Sequence, residues 1–492
     1  MFPTFTLRYA RLPTHFFEPF TPVTVEKPEL VAFNRELAET LGFDLSAFDE
    51  KTATDWFSGN EVPPGAEPVA QAYAGHQFGG FSPRLGDGRA VLLGEVTDRD
   101  GALRDIQLKG AGRTPFSRGG DGRAPLGPVL REYLLSEAMH VMGIPTTRAL
   151  AAVTTGERVM RRMPEPGAVL TRVASSHIRV GTFQYFGSRH DAEAVKTLAD
   201  HVIERHYPEL LETPETDRYM ALLKAIQQRQ AELVARWMGV GFIHGVMNTD
   251  NTSIAGETID FGPCAFMERY DPKTVFSSID TGGRYAYVNQ PVILQWNMAR
   301  LAEAMLPLFD EDEQRAIERA TEVVQGFSEQ YQAAWLAVMR DKIGLRHHEE
   351  DNDQELIEAL QEAMRVGRAD FTLTFRQLGE CARDEAADDA LLALFEQDAD
   401  MRDWLPRWRQ RLTREAASGD EIARRMHAVN PLYIPRNHQV EQALSAAAEG
   451  NFEPFETLRE VLAHPFDEQP GREAWTLPAG PDEGVFRTFC GT

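Results

Sequence analysis

HGVMNTDNTSIAGETIDFG, residues 244–262, is the segment that best indicates the fold of this chain. It places Asn251 and Asp260 nine residues apart, and Asp260 is followed directly by Phe261 and Gly262. The residues from Asn251 to Asp260 are predicted to form a short hairpin. An amide and a carboxylate offer the hard oxygen ligands that Mg²⁺ and Mn²⁺ prefer. The segment therefore predicts a divalent-metal site.

The same segment carries a modified form of a known catalytic pattern. Protein kinases use H-R-D-x-x-x-x-N followed by D-F-G, where the first aspartate accepts the substrate proton. His244 and Asn251 keep this spacing, but Val246 stands in the position of the catalytic aspartate. Asp250 lies instead directly before the asparagine. The metal-binding residues thus follow the kinase pattern, whereas the proton acceptor has moved.

Two elements upstream complete the kinase order. RLGDGRAVLLGE, residues 84–95, is a glycine-bearing turn that opens into a strand, although GDG alone is more often a hairpin turn than a phosphate site. Lys109 follows on the strand DIQLKG, and Glu132 comes 23 residues later on the helix VLREYLLSEAMHVMG. A strand lysine held by a helix glutamate directs an ammonium at nucleotide phosphates. The four elements in this order predict a kinase-like fold.

The distribution of strand and helix patterns predicts an α+β, two-lobed arrangement with a small strand-rich N-lobe and a large helical C-lobe. Residues 1–70 are expected to form an N-terminal extension, 71–155 the N-lobe and 156–492 the C-lobe with its tail. DRDG, residues 98–101, has the Asp-Gly chemistry of a hairpin turn between two strands. Gly143 and Pro145 are stop signals after the helix.

Composition limits the possible partners. The 51 basic and 75 acidic residues give a formal net charge of −24, so nucleic acid and anionic membrane are not expected partners. The acidic clusters at 309–314 and 348–355 are interpreted as solvated helix faces or loops. No 18-residue apolar run occurs. Three scattered cysteines indicate a reducing compartment, and we expect a soluble, cytoplasmic protein.

Long segments of the chain resemble one family, the SelO (selenoprotein O, also called YdiU) family of protein adenylyltransferases. The similar segments lie at residues 73–90 (YAGHQFGGFSPRLGDGRA), 107–150, 170–186, 241–268 and 430–444 (NPLYIPRNHQVEQAL). The resemblance extends over essentially the whole chain. The resemblance implies transfer of AMP from ATP, or of UMP from UTP, to Ser, Thr or Tyr hydroxyls of proteins, with Mg²⁺ or Mn²⁺ as cofactor.

The resemblance also implies roles for individual residues. Asp250 would accept the proton, Asn251 and Asp260 would bind the metal, and Glu132 would hold Lys109. The residues expected to contact the nucleotide are Gly86, Gly88, Arg89, Lys109, Asp121, Gly122, Arg172, Arg179 and Asp260. In the family the nucleotide lies flipped relative to its kinase orientation, so that the α-phosphate meets the acceptor. The absence of an aspartate at Val246 is the family's own pattern.

Several alternatives remain at the level of sequence. Arg172 and Arg179 are seven residues apart, and this spacing alone would predict that they lie on one exposed face of a helix. An ordinary kinase would transfer the γ-phosphoryl group instead, and a pseudokinase scaffold would bind nucleotide without catalysis. Nucleotidyl transfer expels pyrophosphate, so it needs the cations Lys109, Arg89, Arg172 and Arg179 more than phosphoryl transfer does.

The cysteines suggest one further hypothesis. Cys490 is third from the end, where some family members carry selenocysteine, and Cys264 is a candidate partner for it. An idle tail thiol is the alternative.

Overall fold

The computed structural model of the chain describes residues 3–346, 352–480, 483–484 and 487–489. The strands in these ranges are β1 (Phe5–Thr6), β2 (Phe17–Pro19), β3 (Glu29–Phe33), β4 (Val69–Gln71), β5 (Gly75–Gln77), β6 (Gly80–Ser82), β7 (Ala90–Thr97), β8 (Leu103–Lys109), β9 (Ala124–Pro125), β10 (Arg148–Met160), β11 (Pro164–Ala174), β12 (Phe242–Ile243) and β13 (Ala265–Phe266).

Helices dominate the second half of the chain. The α-helices of the described residues are α1 (Arg35–Thr40), α2 (Glu50–Ser58), α3 (Leu126–Val141), α4 (Val180–Gly187), α5 (Ala192–His206), α6 (Glu215–Val240), α7 (Gln290–Met305), α8 (Glu313–Gln325), α9 (Phe327–Lys342), α10 (Asp353–Val366), α11 (Phe371–Arg383), α12 (Asp388–Leu392), α13 (Ala399–Leu412), α14 (Gly419–His427), α15 (Asn437–Ala448) and α16 (Glu453–Leu462).

One antiparallel sheet forms the N-terminal part. Its strand order is β2-β4-β7-β8-β11-β10-β3, with β1 paired to β7 and β9 paired to β11. Because side chains alternate between the two faces of a strand, Ile106 and Leu108 of β8 point away from Gln107 and Lys109. Ile106 and Leu108 are buried in a core that also contains Leu37 and Phe57 of the N-terminal helices. Lys109 is therefore left on the opposite face.

Helix α3 covers that opposite face. Its buried residues Leu130 and Tyr133 belong to a core with Leu92 and Leu170 of the sheet. Glu132 lies between them in sequence and is itself buried, so α3 presents a carboxylate to the strand that bears Lys109. The helix ends where Gly143 adopts a positive φ of 75°, as the stop signals predict.

The helical C-terminal part packs below this sheet and shares the larger core with α3. The architecture is α+β, with a sheet-rich N-terminal part and a helical C-terminal part, consistent with the predicted two-lobed kinase-like fold. The sheet extends from Phe5 to Ala174, so it has strands on both sides of the predicted domain boundaries at positions 70 and 155. The domain boundaries remain a prediction. Of the helices that the structure describes, none combines the length and apolar character needed to span a bilayer.

Local predictions can be compared directly with these elements. The DRDG turn is confirmed, because it connects β7 to β8 and Gly101 N donates to Asp98 O at 3.0 Å. The hairpin from Asn251 to Asp260 is wrong. Within this described segment the two bridges lead elsewhere, from Ser253 to Arg179 and from Thr258 to Thr146. The segment is an irregular connection, because its backbone groups at these bridges form hydrogen bonds with residues outside it.

The acidic clusters differ from expectation at one residue. Asp353 is 1% exposed and accepts hydrogen bonds from Arg340 at 2.9 Å and Arg411 at 2.7 Å. It is an internal ion-pair partner and not a solvated side chain, because two guanidinium groups compensate its burial. Residues 348–351 lie outside the described residues.

Candidate active site

A cleft of about 470 Å³ lies between the sheet and the helical part. Its lining contains every residue predicted for the site: Gly86, Gly88, Arg89, Lys109, Asp121, Gly122, Glu132, Arg172, Arg179, Asp250, Asn251 and Asp260. These residues come from the glycine-bearing turn, β8, α3, β11 and the 244–262 segment. The fold thus brings them together although they span most of the first half of the chain.

Lys109 occupies the centre of an ion-pair network. Its Nζ donates to Glu132 Oε2 at 2.7 Å and to Asp260 Oδ1 at 2.9 Å. Burial alone would raise the pKa of Glu132, but Arg172 and Lys109 outweigh it and lower that pKa. The predicted pairing of Lys109 with Glu132 is confirmed as a contact, and the lowered pKa keeps the Glu132 carboxylate ionised.

Arg172 and Arg179 do not lie on a helix face, so that interpretation of their spacing is wrong. Arg172 lies on β11 opposite Gln107, and Arg179 immediately precedes α4. Arg172 donates from Nη2 to Asp260 Oδ1 at 2.7 Å and also binds Glu132 through Nε at 2.7 Å. Arg172 is 1% exposed and Arg179 is 4% exposed. Both are therefore buried cations that lie between the sheet and the 244–262 segment.

Asp260 is the point where these cations converge. Lys109 and Arg172 donate to its Oδ1, and Arg179 donates to its Oδ2 at 2.6 Å. Its backbone has a φ of 66°, in the left-handed region that a non-glycine residue seldom adopts. Burial tends to raise the pKa of Asp260, but the three cations hold that pKa well below its ordinary value. The carboxylate therefore stays ionised.

Asn251 lies beside the same cleft. Its Nδ2 donates to Val246 O at 3.0 Å, which fixes the orientation of the amide. Among the described residues, no three His, Cys, Asp or Glu side chains cluster closely enough to hold a metal ion by themselves. An oxygen site of one amide and one carboxylate suits a Mg²⁺ or Mn²⁺ ion whose remaining ligands are phosphate oxygens and water.

Asp250 is buried in the same 244–262 segment as Asp260 but is held differently. Its Oδ2 accepts a hydrogen bond from Gln77 Nε2 at 3.0 Å. Its Oδ1 is buried without a hydrogen-bond partner among the described residues. Burial raises the pKa of Asp250 to about 6. The position that a kinase gives to its catalytic aspartate is taken by Val246, whose side chain lines the cleft without any group that could accept a proton.

The glycine-bearing turn is shaped by close contacts. Gly86 has a φ of 73°, and a Cβ there would lie 2.3 Å from the ring of Phe116. Arg89 O accepts the N–H of Gly110 at 2.7 Å, which ties the turn to the end of β8. The turn can therefore keep this conformation beside Phe116 only with glycine at position 86.

Asp121 and Gly122 form the opposite wall. Asp121 Oδ2 pairs with Arg161 at 2.8 Å and Asp121 lines the cleft in a half-exposed position. Gly122 has a φ of 72°, and a Cβ there would lie 2.1 Å from the carbonyl of Gly112. No other residue fits that contact.

Asp87 and Gln77 are among the polar residues of the cleft that sequence reasoning missed. Asp87, between the two glycines of the turn, is 1% exposed, and burial raises the pKa of its carboxyl to about 6. Gln77 reaches Asp250 from another strand. Both stand inside the segment YAGHQFGGFSPRLGDGRA, but no spacing rule distinguishes them from ordinary turn residues.

Only one of the two cysteines in the redox hypothesis lies among the described residues. Cys264 is buried, and its thiol donates to Phe261 O at 3.4 Å. Cys490 lies outside the described residues, so the proposed redox role stays a prediction.

Comparison with known proteins identifies the family of this chain. The family model described as "Protein adenylyltransferase SelO" matches residues 3–463. This chain belongs to the SelO family. The expectation drawn from the sequence segments is therefore confirmed at the level of the family.

Close SelO-family relatives cover almost the whole chain. A protein of Rhizobium leguminosarum bv. trifolii (strain WSM2304) is 58% identical over 485 residues, 98% of this chain and 96% of the relative. One of Rhizobium meliloti (strain 1021) is 58% identical over 487 residues, and one of Cereibacter sphaeroides (strain ATCC 17029 / ATH 2.4.9) is 59% identical over 487, each covering 98% of both chains. All three are named protein nucleotidyltransferase YdiU.

Proposed function

We propose that this chain transfers AMP from ATP to hydroxyl groups of proteins, with UMP transfer from UTP as a second activity. The observation that carries the proposal is the convergence of Lys109, Arg172 and Arg179 on Asp260 in one cleft with the carboxylate of Asp250. Membership of a family described as protein adenylyltransferases supports the same reaction.

The bond changes follow from this arrangement. The acceptor hydroxyl oxygen attacks the α-phosphorus of ATP, and the bond from that phosphorus to the oxygen bridging to the β-phosphate breaks. AMP becomes esterified to the protein, and pyrophosphate leaves. The hydroxyl proton passes to the carboxylate of Asp250, which lines the cleft and whose pKa is raised by burial to about 6, near the working pH of a general base. Val246 offers no competing base.

The cations serve the leaving group. Pyrophosphate carries more charge than the single phosphoryl group that a kinase moves, so its departure requires concentrated positive charge. Lys109 and Arg89 line the cleft where phosphates would lie, and Arg172 and Arg179 add their charges behind Asp260. Gly86, Gly88, Asp121 and Gly122 would shape the nucleotide site around them. Because the chain has a net charge of −24, a cluster of cations in one cleft indicates a site for an anionic ligand.

Asn251 and Asp260 would hold the divalent ion, Mg²⁺ or Mn²⁺. When bound there, it would supply positive charge that stabilises the phosphates during transfer. The residues fit this role because both present oxygen atoms to the same cleft. Asp260 is meanwhile kept ionised by its three cationic neighbours.

The acceptors would be Ser, Thr or Tyr side chains of proteins. Asp250 is buried at 7% exposure, so the acceptor side chain must enter the cleft to reach it. The scarcity of cysteine supports a reducing, cytoplasmic setting. The nucleotide and a protein are thus the two partners.

Incubation with ATP labelled separately at the α- and γ-phosphates tests the proposal. Covalent α-label on protein, including the enzyme itself, with a mass increase of one AMP per site, is expected. Incorporation of γ-label alone would establish the kinase alternative. Absence of both labels under conditions where ATP binds would favour the non-catalytic scaffold.

A further inference from the structure

The hairpin of β5 and β6 lies directly on the loop that contains Asp250. Gln77 pairs with Gly80, and the turn between them contains Phe78 and Gly79 with φ of 51° and 85°. Two consecutive residues with positive φ make the tight turn that closes a two-residue hairpin. The hairpin is therefore a compact unit whose position is set by what it contacts.

Three successive residues of this hairpin bind three successive residues of the loop. His76 N donates to Thr249 Oγ1 at 2.7 Å, and Phe78 N donates to Asn248 Oδ1 at 3.1 Å. Between them, the Gln77 side chain donates to Asp250 Oδ2 at 3.0 Å. The hydrogen bonds from the backbone of His76 and Phe78 hold the hairpin against the loop. They thereby fix the position from which the Gln77 amide binds Asp250.

Helix α4 locks this junction from the other side. Gln184 accepts a hydrogen bond from Thr249 Oγ1 at 2.6 Å and lies 2.8 Å from His76 Nδ1 through its amide nitrogen. The approach at Gly75 is equally tight, because a Cβ there would lie 2.5 Å from Asp250 Oδ1. The hairpin therefore cannot shift without moving Asp250.

We infer that Gln77 is a positioning residue for Asp250, fixing the orientation of the carboxylate that receives the acceptor proton. The two oxygens of Asp250 have different surroundings, since Oδ2 is held by Gln77, whereas Oδ1 is buried against Gly75 and has no hydrogen-bond partner among the described residues. The hydrogen bond from Gln77 therefore fixes the rotation of the carboxylate. This inference rests on the proposed role of Asp250 as proton acceptor.

The orientation matters because proton transfer depends on geometry. A misplacement of about 1 Å in a reacting group can cost roughly 10²-fold in rate. Gln77→Ala should therefore lower kcat by up to about 10²-fold, while KM for ATP stays unchanged because Lys109 and the arginines hold the phosphates. Gln77→Glu places a second carboxylate against Asp250 and should lose at least as much.

A double-mutant cycle distinguishes positioning from a general structural role. The four proteins are wild type, Gln77→Ala, Asp250→Asn and the double variant, assayed with α-labelled ATP for self-modification and for labelling of casein. If Gln77 acts through Asp250, the double variant should be no slower than Asp250→Asn alone. Ser82→Ala, on the partner strand of the same hairpin, is the matched control and should keep wild-type kcat.

Each outcome has a definite meaning. Wild-type kcat in Gln77→Ala, or multiplied losses in the double variant, would overturn the inference while leaving the proposed function intact. Full activity in Asp250→Asn would instead remove the proposed base. If Gln77→Ala does not fold, as judged by circular dichroism, Gln77→Met preserves the length of the side chain and removes only the donor. The same comparisons then apply to Gln77→Met.

Discussion

Arg179 donates a hydrogen bond of 2.6 Å from Nη1 to Oδ2 of Asp260, across 81 residues of sequence. The same nitrogen donates to the backbone oxygen of Asp250 at 2.6 Å. The guanidinium also lies over the ring of Tyr73, 4.8 Å from its centroid. One planar cation thus sets the distance between the proposed base and the proposed metal ligand.

Arg179→Lys should lower the rate of transfer at least about tenfold, although the charge is kept. An ammonium lacks the flat face that stacks on Tyr73, so it would not be held at the position from which Nη1 makes both contacts. The rate is measured with α-labelled ATP. Arg189→Lys is the control, because Arg189 also lies over a tyrosine ring, that of Tyr185, but does not line the cleft. Equal rates for both variants would show that the charge alone matters.

Asp250→Asn should reduce turnover by roughly 10²–10⁴-fold, the usual contribution of a general base. Nucleotide affinity should change little, because Asp250 does not hold the phosphates in the proposed site. Turnover and equilibrium binding of ATP are measured on the same preparation. Near-normal turnover would place the base elsewhere. A loss confined to ATP binding would mean that Asp250 acts through the metal.

Lys109→Ala should weaken ATP binding and lower turnover together, which is the complementary pattern. Lys109 is the cation that faces the cleft while bound to Glu132 and Asp260. Its removal takes away charge both from the bound phosphates and from the transition state. Titration of ATP binding and a rate measurement at saturating ATP separate the two effects. Unchanged ATP affinity would contradict the proposed phosphate contact.

Asp260→Ala should abolish transfer with or without added Mn²⁺, while circular dichroism still shows a folded chain. It should also destabilise the protein by about 3–5 kcal/mol, because buried Arg172 and Arg179 lose their shared partner. Denaturant unfolding measures this loss. Undiminished transfer in the variant, or in wild type with excess chelator, would remove the metal from the mechanism.

A pH-dependent prediction concerns Lys342, far from the cleft lining. Its Nζ donates to Asn430 Oδ1 at 2.7 Å and lies 4.1 Å from the centroid of the Phe375 ring. Burial lowers the pKa of Lys342 to about 7. Between this value and the ordinary lysine pKa the unfolded chain binds a proton that the folded chain does not bind. The contribution of Lys342 to stability therefore increases with pH in that window.

The measurement compares wild type with Lys342→Met. The difference in their free energies of unfolding should move in favour of wild type by about 2–3 kcal/mol between pH 7 and pH 9. Urea unfolding at both pH values provides it. Lys224→Met, at an exposed position of α6, is the control and should show no such change. A pH-independent difference for Lys342→Met would mean that the amine stays charged in the folded protein.

Local structure was largely predictable from the sequence. The Asp-Gly turn between β7 and β8, the helix that carries Glu132 and its end at Gly143 all follow from short-range signals. Turn chemistry and side-chain periodicity act over a few residues, so the sequence states them directly. The kinase order of Lys109 and Glu132 needed only a spacing, and the structure brings the pair into contact.

The sequence by itself determined the family, the α+β composition and part of the set of residues that line the cleft. Only the tertiary structure decided how they meet: Arg172 and Arg179 converge on Asp260 from β11 and from the start of α4, where spacing suggested a helix face. It also replaced the hairpin expected after Asn251, and it brought Gln77 to Asp250. These contacts join residues that are distant in sequence, and their energies depend on burial that only the packed chain creates.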